Sequence, residues 1–388
     1  MKDFKRLLSL KLETGQVTMS EIARAAGYKN ITPLSKYLND EKREFDCITR
    51  IIKISNYLFS NDLTKEKSII EAYSETVDPN KEISRQTLEY LSYHSLISYR
   101  NSLLEKMYSC NNKESKEMAT IYKYEKLWDN TCDKLEMIED ECVKSDNNII
   151  YKKYLRMCCF YLEGHSSMVE YMHRRIVANL NRLGDSYIKE SYQLRIFKLL
   201  AAFKLGINKP EECEEMALFV IGKSRDRNTA ASMYQLIGMS YLYRDYAKGR
   251  LYLEKAHDIF HEIEEVNGDN SIYNSLSLHD HYWGKEENSE RFMDRISSCS
   301  NKALITSSAI GNIASYTSLM QNTDKASMNN RDLAFYYYSL GYLSDDEELL
   351  WKSIKLFKSI DDSYYVKLPI AKLDIMGTCK QTLEVASL

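Results

Sequence analysis

Two segments of the chain repeat one order of small and large residues, and that order leaves little choice of fold. In the first, Tyr234, Ile237, Gly238 and Tyr241 are followed by Gly249, Leu253 and Ala256. In the second, Tyr337, Leu340 and Gly341 are followed by Ser353, Phe357 and Ile360. Aromatic, aliphatic and glycine on one helix, then small, large and small on the next, is the tetratricopeptide order, in which the small positions let paired helices approach closely. Both copies are degenerate, and the second ends in Ile360 where a small residue is expected. Weaker copies span Tyr192 to Ala217 and Tyr151 to Tyr171. Such a repeat buries its apolar face only by stacking on neighbours, which builds a curved solenoid whose concave side suits an extended peptide. A solenoid serving only as a spacer or dimer arm is the plainer alternative.

The rest of the sequence agrees with helices throughout. Only 4 Pro and 13 Gly punctuate 388 residues, and apolar residues recur mostly at i, i+3 and i+4. The expected fold class is all-α: an N-terminal helix-turn-helix domain over residues 1–60, then a degenerate tetratricopeptide-like α-solenoid from about residue 66. Asn61 to Lys65 is a polar joint between them, with no Gly or Pro run to make it flexible. The 30 tyrosines suit helix packing, ring in a groove and hydroxyl at its rim, and a few can line a ligand face.

The helix-turn-helix is read from Met19 to Asn39. Ile22, Ala23 and Ala26 form one apolar face of a short helix, and Gly27 sits where that helix must stop. Thr32 is expected to cap a second helix with Pro33 at its first position, and Leu34 and Leu38 form an apolar pair facing the first helix. Ala23 is small because two steeply crossing helices leave no room there. The outward face carries Lys29, Asn30, Thr32, Ser35 and Lys36, a donor-rich set suited to a major groove and its phosphates. A helical corner capped for stability is the alternative. Helices around Phe4 to Leu12 and Phe45 to Phe59 complete the small domain, the latter burying Ile48, Ile51, Ile52 and Leu58.

Charge separates the two parts. Residues 1–60 carry 11 Lys or Arg against 7 Asp or Glu, a net +4, which leaves −7 of the total −3 for residues 61–388. The basic end is the end with the turn motif, as DNA binding requires. Nine cysteines without CxxC spacing suggest free thiols rather than a disulfide framework or zinc ribbon. The opening MKDFKRLLSLKLETG breaks its apolar run with charges, and nothing later approaches the ~18 apolar residues of a membrane span, so a cytoplasmic protein with no membrane partner is expected. His257 and His261 stand at i, i+4, but no Glu adjoins the first as a zinc protease requires, and His279-Asp280-His281 is too short a cue. With no GxGxxG, GxxxxGK[ST] or GxSxG string either, no catalytic residue, metal or cofactor is expected, and the chain reads as a non-enzyme.

A helix-turn-helix ahead of a degenerate repeat array resembles the peptide-pheromone receptors of Gram-positive bacteria and their phages. Particular strings narrow this: GYKN at 27–30 followed by Pro33, SCNNKESKE at 109–117, SYQLR at 191–195, EEC at 211–213 and LPIAKLDIMG at 368–377. They resemble the arbitrium receptors (AimR) of SPbeta-like Bacillus phages nearly end to end. The resemblance implies a homodimeric phage transcription factor, in the cytoplasm of the bacterial host, that senses a short secreted peptide ending in Arg-Gly-Ala. Free of peptide it would bind double-stranded phage operator DNA and activate a lysis-promoting transcript. Peptide would suppress this and favour lysogeny.

The family's peptide contacts carry over onto Ala202, Asn228, Met239, Leu242, Leu278, Asn301, Arg331, Asp362 and Tyr364. Leu242 and Asp362 match in kind, and Tyr364 replaces another aromatic. Asp362 is the expected partner for a peptide arginine, since a carboxylate accepts two guanidinium bonds. The other six depart from the mostly polar family residues, which implies a cognate peptide with a more apolar N-terminal half. On the DNA side Lys29 and Asn30 match the family. The solenoid would end at 367 and residues 368–388 would form the dimerisation segment, with Ile370, Leu373 and Ile375 as its apolar surface. An adaptor that holds a host or phage protein, with a purely structural head, is the competing reading.

Overall fold

The computed structural model describes residues 2–40, 43–126, 131–264, 266–288 and 328–387. Among these residues every regular element is helical: 20 α-helices and two short 3₁₀ turns. None of the described helices is long and apolar enough to cross a membrane. The chain forms two compact units.

The first unit comprises Met1–Cys159 and Tyr171–Gln193. It opens with α1 (Lys2–Glu13), α2 (Met19–Ala25), α3 (Thr32–Asn39), α4 (Ile48–Leu58) and α5 (Leu63–Ser74). The first packs on the fifth, and the second on both the third and fourth. The buried face of α4 runs through Ile48, Ile51, Ile54 and Ser55, against α2, α5 and α6, whereas Ile52 and Leu58 are half-buried, so the apolar face is set by packing on three helices rather than by the i, i+3, i+4 spacing alone. At the expected joint, Ser60 and Asn61 take positive φ in a tight turn, and the Asp62 carboxylate caps α5 by accepting from Thr64 and Lys65 N–H.

The helices α6 (Glu82–Tyr93), α7 (Ile97–Ser109), α8 (Lys113–Tyr122), α9 (Thr131–Asp140) and the greater part of α10 (Asp146–Leu162) follow. From Ile83 to Ser92 every residue of α6 is buried, including Arg85, Gln86 and Glu89. Buried polar groups of this kind need partners. Glu89 accepts from the hydroxyls of Tyr122 and Ser191, and Arg85 pairs with Glu114 at 3.0 Å. The Tyr122 and Tyr192 hydroxyls meet at 3.2 Å, and Tyr151 stacks between their rings at 4.0 and 5.3 Å. These tyrosines act as the expected amphipathic packing groups.

The second unit comprises Phe160–Glu170 and Leu194–Leu388. It contains the start of α11 (Ser166–Leu180), most of α12 (Tyr187–Gly206), and then α13 (Pro210–Lys223), α14 (Arg227–Ser240), α15 (Tyr246–Glu262), α16 (Val266–Tyr282), α17 (Asn330–Ser344), α18 (Glu347–Ser359), α19 (Lys367–Ile375) and α20 (Lys380–Ser387). From α13 to α16, and again from α17 to α20, each helix packs on the next, the hairpins α14–α15 and α17–α18 most extensively. These two hairpins are the two repeats read from the sequence. A Cβ at Gly238 would lie 2.6 Å from Leu253 Cγ and 3.0 Å from the Gly249 carbonyl oxygen, so close helix approach is what requires the small residue. Ile237, Leu253, Ala256, Leu350 and Phe357 join one core with Leu242, Leu278 and Leu373.

Candidate nucleic-acid interface and ligand pocket

The candidate nucleic-acid interface is built from α2, α3 and the turn between them. Thr18 caps α2: its side chain accepts from Glu21 N–H, while the Glu21 carboxylate accepts from Thr18 N–H at 2.7 Å. At the other end, Gly27 N–H donates to Arg24 and Tyr28 N–H to the Ala23 carbonyl, the double bond of a Schellman turn, with Gly27 at φ +77°. Arg50 of α4 then fixes the turn from outside. Its Nη1 donates to the Ala26 carbonyl at 2.9 Å, its guanidinium lies 3.9 Å over the Tyr28 ring, and Asp46 holds its other edge. Burial pushes the Tyr28 hydroxyl up to about 12, so it stays protonated.

The second helix begins differently from the expected arrangement. Thr32 is its first residue rather than its cap, Pro33 comes second, and the Asn30 side chain accepts from Thr32 N–H at 3.0 Å. A side-chain amide before a proline closes such a turn as well as a hydroxyl does. Leu34 and Tyr37 face the core and Leu38 is half-buried, with the Tyr37 ring tilted against Phe45 at 3.9 Å. On the outer face Lys29, Asn30, Thr32 and Lys36 are exposed, and half-buried Ser35 accepts from the Asn39 amide at 3.3 Å. Asn30 spends its carbonyl oxygen on the turn, and its side chain is exposed.

The candidate ligand pocket lies in the second unit. Asp362 follows α18 in a second Schellman turn: Asp361 takes φ +52°, and Asp362 N–H donates to the Phe357 carbonyl at 2.9 Å. The Asp362 carboxylate is buried, accepts from Tyr365 N–H at 2.9 Å, and has Oδ2 2.9 Å from Arg331 Nη2. Arg331 Nη1 donates to the Tyr161 hydroxyl at 2.9 Å. Burial pushes the Asp362 carboxyl above its usual range while Arg331 and the Tyr365 and Tyr364 N–H groups pull it back. Two residues on, Tyr364 N–H donates to the Gly206 carbonyl at 3.0 Å and its hydroxyl to the Met239 carbonyl at 2.7 Å, with Tyr243 against its ring.

Of the sequence-derived pocket residues, Met239, Leu242, Leu278, Asp362 and Tyr364 are buried, while Ala202, Asn228 and Arg331 are half-buried. Asn301 lies outside the described residues. Contacts join Arg331 to Asp362 and Tyr364 to Met239. At the C-terminal end Leu373 is sealed in the core, Ile370 is half-buried and Ile375 is exposed. Sequence reasoning missed Arg50, Tyr37, Tyr161 and the Thr18–Glu21 box. The last was visible as a T-x-x-E string ahead of an apolar run, but nothing local marks the others.

The family model for AimR transcriptional regulator-like proteins matches residues 66–374, leaving the helix-turn-helix head outside the match. The AimR transcriptional regulator of Bacillus phage phi3T is 24% identical over 381 residues, covering 95% of this chain and 97% of the relative. A solved structure described as SeMet-phAimR superposes with a TM-score of 0.70 at 22% identity over 99% of this chain and 100% of that one. Another, described as phAimR-Ligand, superposes at 0.75 and 22% identity over 86% of this chain and 99% of that one. The pattern of paired helices and the family match over most of the length lead to one assignment: the chain belongs to the AimR transcriptional regulator-like family.

Proposed function

We propose that this protein is a phage regulator of the lysis–lysogeny decision, binding operator DNA as a dimer and inhibited by a short secreted peptide ending in Arg-Gly-Ala. Residues 1–60 read DNA, residues 66–367 sense peptide and residues 368–388 join the subunits. The regulator works in the host cytoplasm, where its operator lies. The observation that carries this reading is the exposed set Lys29, Asn30, Thr32 and Lys36 on a turn locked by Arg50, because a merely structural corner needs no such donor-rich outer face. Family membership and the ligand-bound description of one structural relative support the peptide-sensing half. Within it, Met239, Leu242 and Leu278 are buried in one apolar core, and Ala202, Asn228 and Arg331 are half-buried. Asn301 is proposed as a further contact.

Gel shifts on the phage's intergenic DNA test the reading. Lys36→Ala should weaken binding about equally on all sequences and flatten the log–log salt dependence by about 1, as expected for a lost phosphate contact. Asn30→Ala should instead relax sequence preference. DNA affinity indifferent to both substitutions would favour a repeat adaptor with a structural head. Binding indifferent to every Arg-Gly-Ala peptide would remove the peptide switch.

A further inference from the structure

A second basic surface lies outside the helix-turn-helix. Residues 152–182 carry six Lys or Arg against two Asp or Glu, a net +4. Residues 61–388 sum to −7, so this span stands against −11 over the rest of them and is no by-product of a basic chain. The fold draws the cations together. Lys153 and Arg156 sit on α10, Arg174 and Arg175 on α11, and Arg182 in the turn that closes α11, where its N–H donates to the Asn179 carbonyl at 3.0 Å. All five belong to the first unit, as the helix-turn-helix does.

The cluster lacks the acids that an ordinary ionic face carries. Arg156 pairs with Glu139, and Arg175 donates to the Tyr171 hydroxyl at 2.6 Å. Among the described residues, however, no carboxylate pairs with Lys153, Arg174, Arg175 or Arg182. Lys153 is half-buried and held by a neutral group: the Asn179 amide accepts from its Nζ and donates to the Arg175 carbonyl, both at 3.1 Å. Burial, then Arg175, Arg182 and Arg156, push that ammonium below its ordinary value. Like charges gathered this way repel, and an anion laid across them removes the repulsion. Arg174, Arg175 and Arg182 are exposed, so the surface is open to one.

A surface spread over two helices and a turn suits a polyanion better than a small ion. Duplex DNA presents a charge every ~1.7 Å of its axis. The patch also adjoins the reader, because Asp185, Ser186 and Tyr187, just past Arg182, line one cleft with Ala26, Gly27 and Lys53. Asp46, Glu82 and Glu190 line it too, which repels phosphate from the cleft and leaves the cations on either side to make the contacts. We propose that Lys153, Arg175 and Arg182 form a second DNA contact, which holds phosphates of the duplex flanking the stretch that the helix-turn-helix reads. The proposal rests on the DNA-binding reading above.

Gel shifts on the full chain test it with a set of duplexes. One is the shortest piece of the phage's intergenic DNA that binds sequence-specifically; the others extend it by one and two helical turns of scrambled sequence at each end. Phosphate contacts ignore sequence, so scrambled flanks report the patch and not a further half-site. Extension should tighten native binding about tenfold and steepen the log–log salt dependence by about 2 to 3. Lys153→Gln with Arg175→Gln and Arg182→Gln should abolish both gains while keeping native helical content and native affinity for the shortest duplex. Arg175→Lys with Arg182→Lys keeps the charges and should retain the gains. A native chain that gains nothing from extension, or a triple variant that keeps the gain, would overturn the proposal and leave the DNA-binding reading standing. So would a triple variant of native helical content that loses equally on short and long duplexes, since the cations would then belong to the reading contact itself. Polyglutamate competing as well as DNA of equal charge would overturn it in favour of an acidic protein partner. No sequence-specific binding to any duplex would overturn both.

Discussion

His279 shows what a single buried ring does to a helical repeat. It is fully buried, stacked on Tyr246 at 5.2 Å, and among the described residues neither ring nitrogen has a hydrogen-bond partner. Burial pushes its imidazole down to about 4 from an ordinary 6.5, with Asp280 pulling it up and Arg250 pushing it further down. The unfolded chain therefore takes up a proton below 6.5 that the folded chain refuses until about 4. Stability is fully present above this window and falls as pH drops through it. At pH 5 the loss from this one ring is about 2 kcal/mol. Denaturant unfolding at pH 7.5 and at pH 5 should differ by that much more in the native chain than in His279→Leu. An unchanged pH dependence in the variant would mean that His279 is protonated in the fold.

Among elements, the helix pairs α14–α15 and α17–α18 were legible in the sequence because their signal is local: an aromatic and a glycine on one helix, a small residue three to four turns on. Gly238 and Gly249 mark a close approach that chain spacing can report. The start of α3 was less legible, since Asn30 and Thr32 both satisfy a helix start and only the closed turn decides between them. Least legible was the Arg331–Asp362 pair, whose members lie at the start of α17 and just past the end of α18, with nearly two helices between them and no periodicity linking them. The Arg50 lock on Ala26 and Tyr28 is hidden for the same reason. Where close approach sets the residue, substitution has an expected sign. Gly222→Ala in α13 meets nothing within 4 Å and should gain up to about 1 kcal/mol from helix propensity. Gly238→Ala has the same propensity gain but drives a methyl into Leu253 and the Gly249 carbonyl, so it should lose about 1–3 kcal/mol net. Thermal melts of the two variants moving in the same direction would show that the α14–α15 crossing is looser than the packing indicates.

For the whole molecule the argument turns on how few contacts one short reading helix can make. Arg24, Lys29 and Lys36 are exposed cations on α2, α3 and the turn between them, so on the proposed reading a single head gains little from phosphate neutralisation and useful affinity would need two heads on two half-sites. The apolar surface that the proposed dimer could use is narrower than Ile370, Leu373 and Ile375 together. Leu373 is committed to the core, but Ile375 is 77% exposed and Val385 69%, on the adjacent helices α19 and α20. Large apolar side chains so exposed gain most by burial against a second copy of the same face, as a two-fold interface provides. Since these positions contribute little to the fold of one chain, Ile375→Asp with Val385→Asp should leave the melting temperature within about 1 °C of native. Sedimentation should show the proposed dimer shifting to monomer. Affinity for an intact operator should fall by at least about tenfold, because the second half-site no longer binds as part of one molecule, while affinity for an isolated half-site should stay the same. A variant that remains dimeric would place the subunit contact elsewhere. A monomeric variant that still binds the intact operator with native affinity would show that the two reading heads act independently.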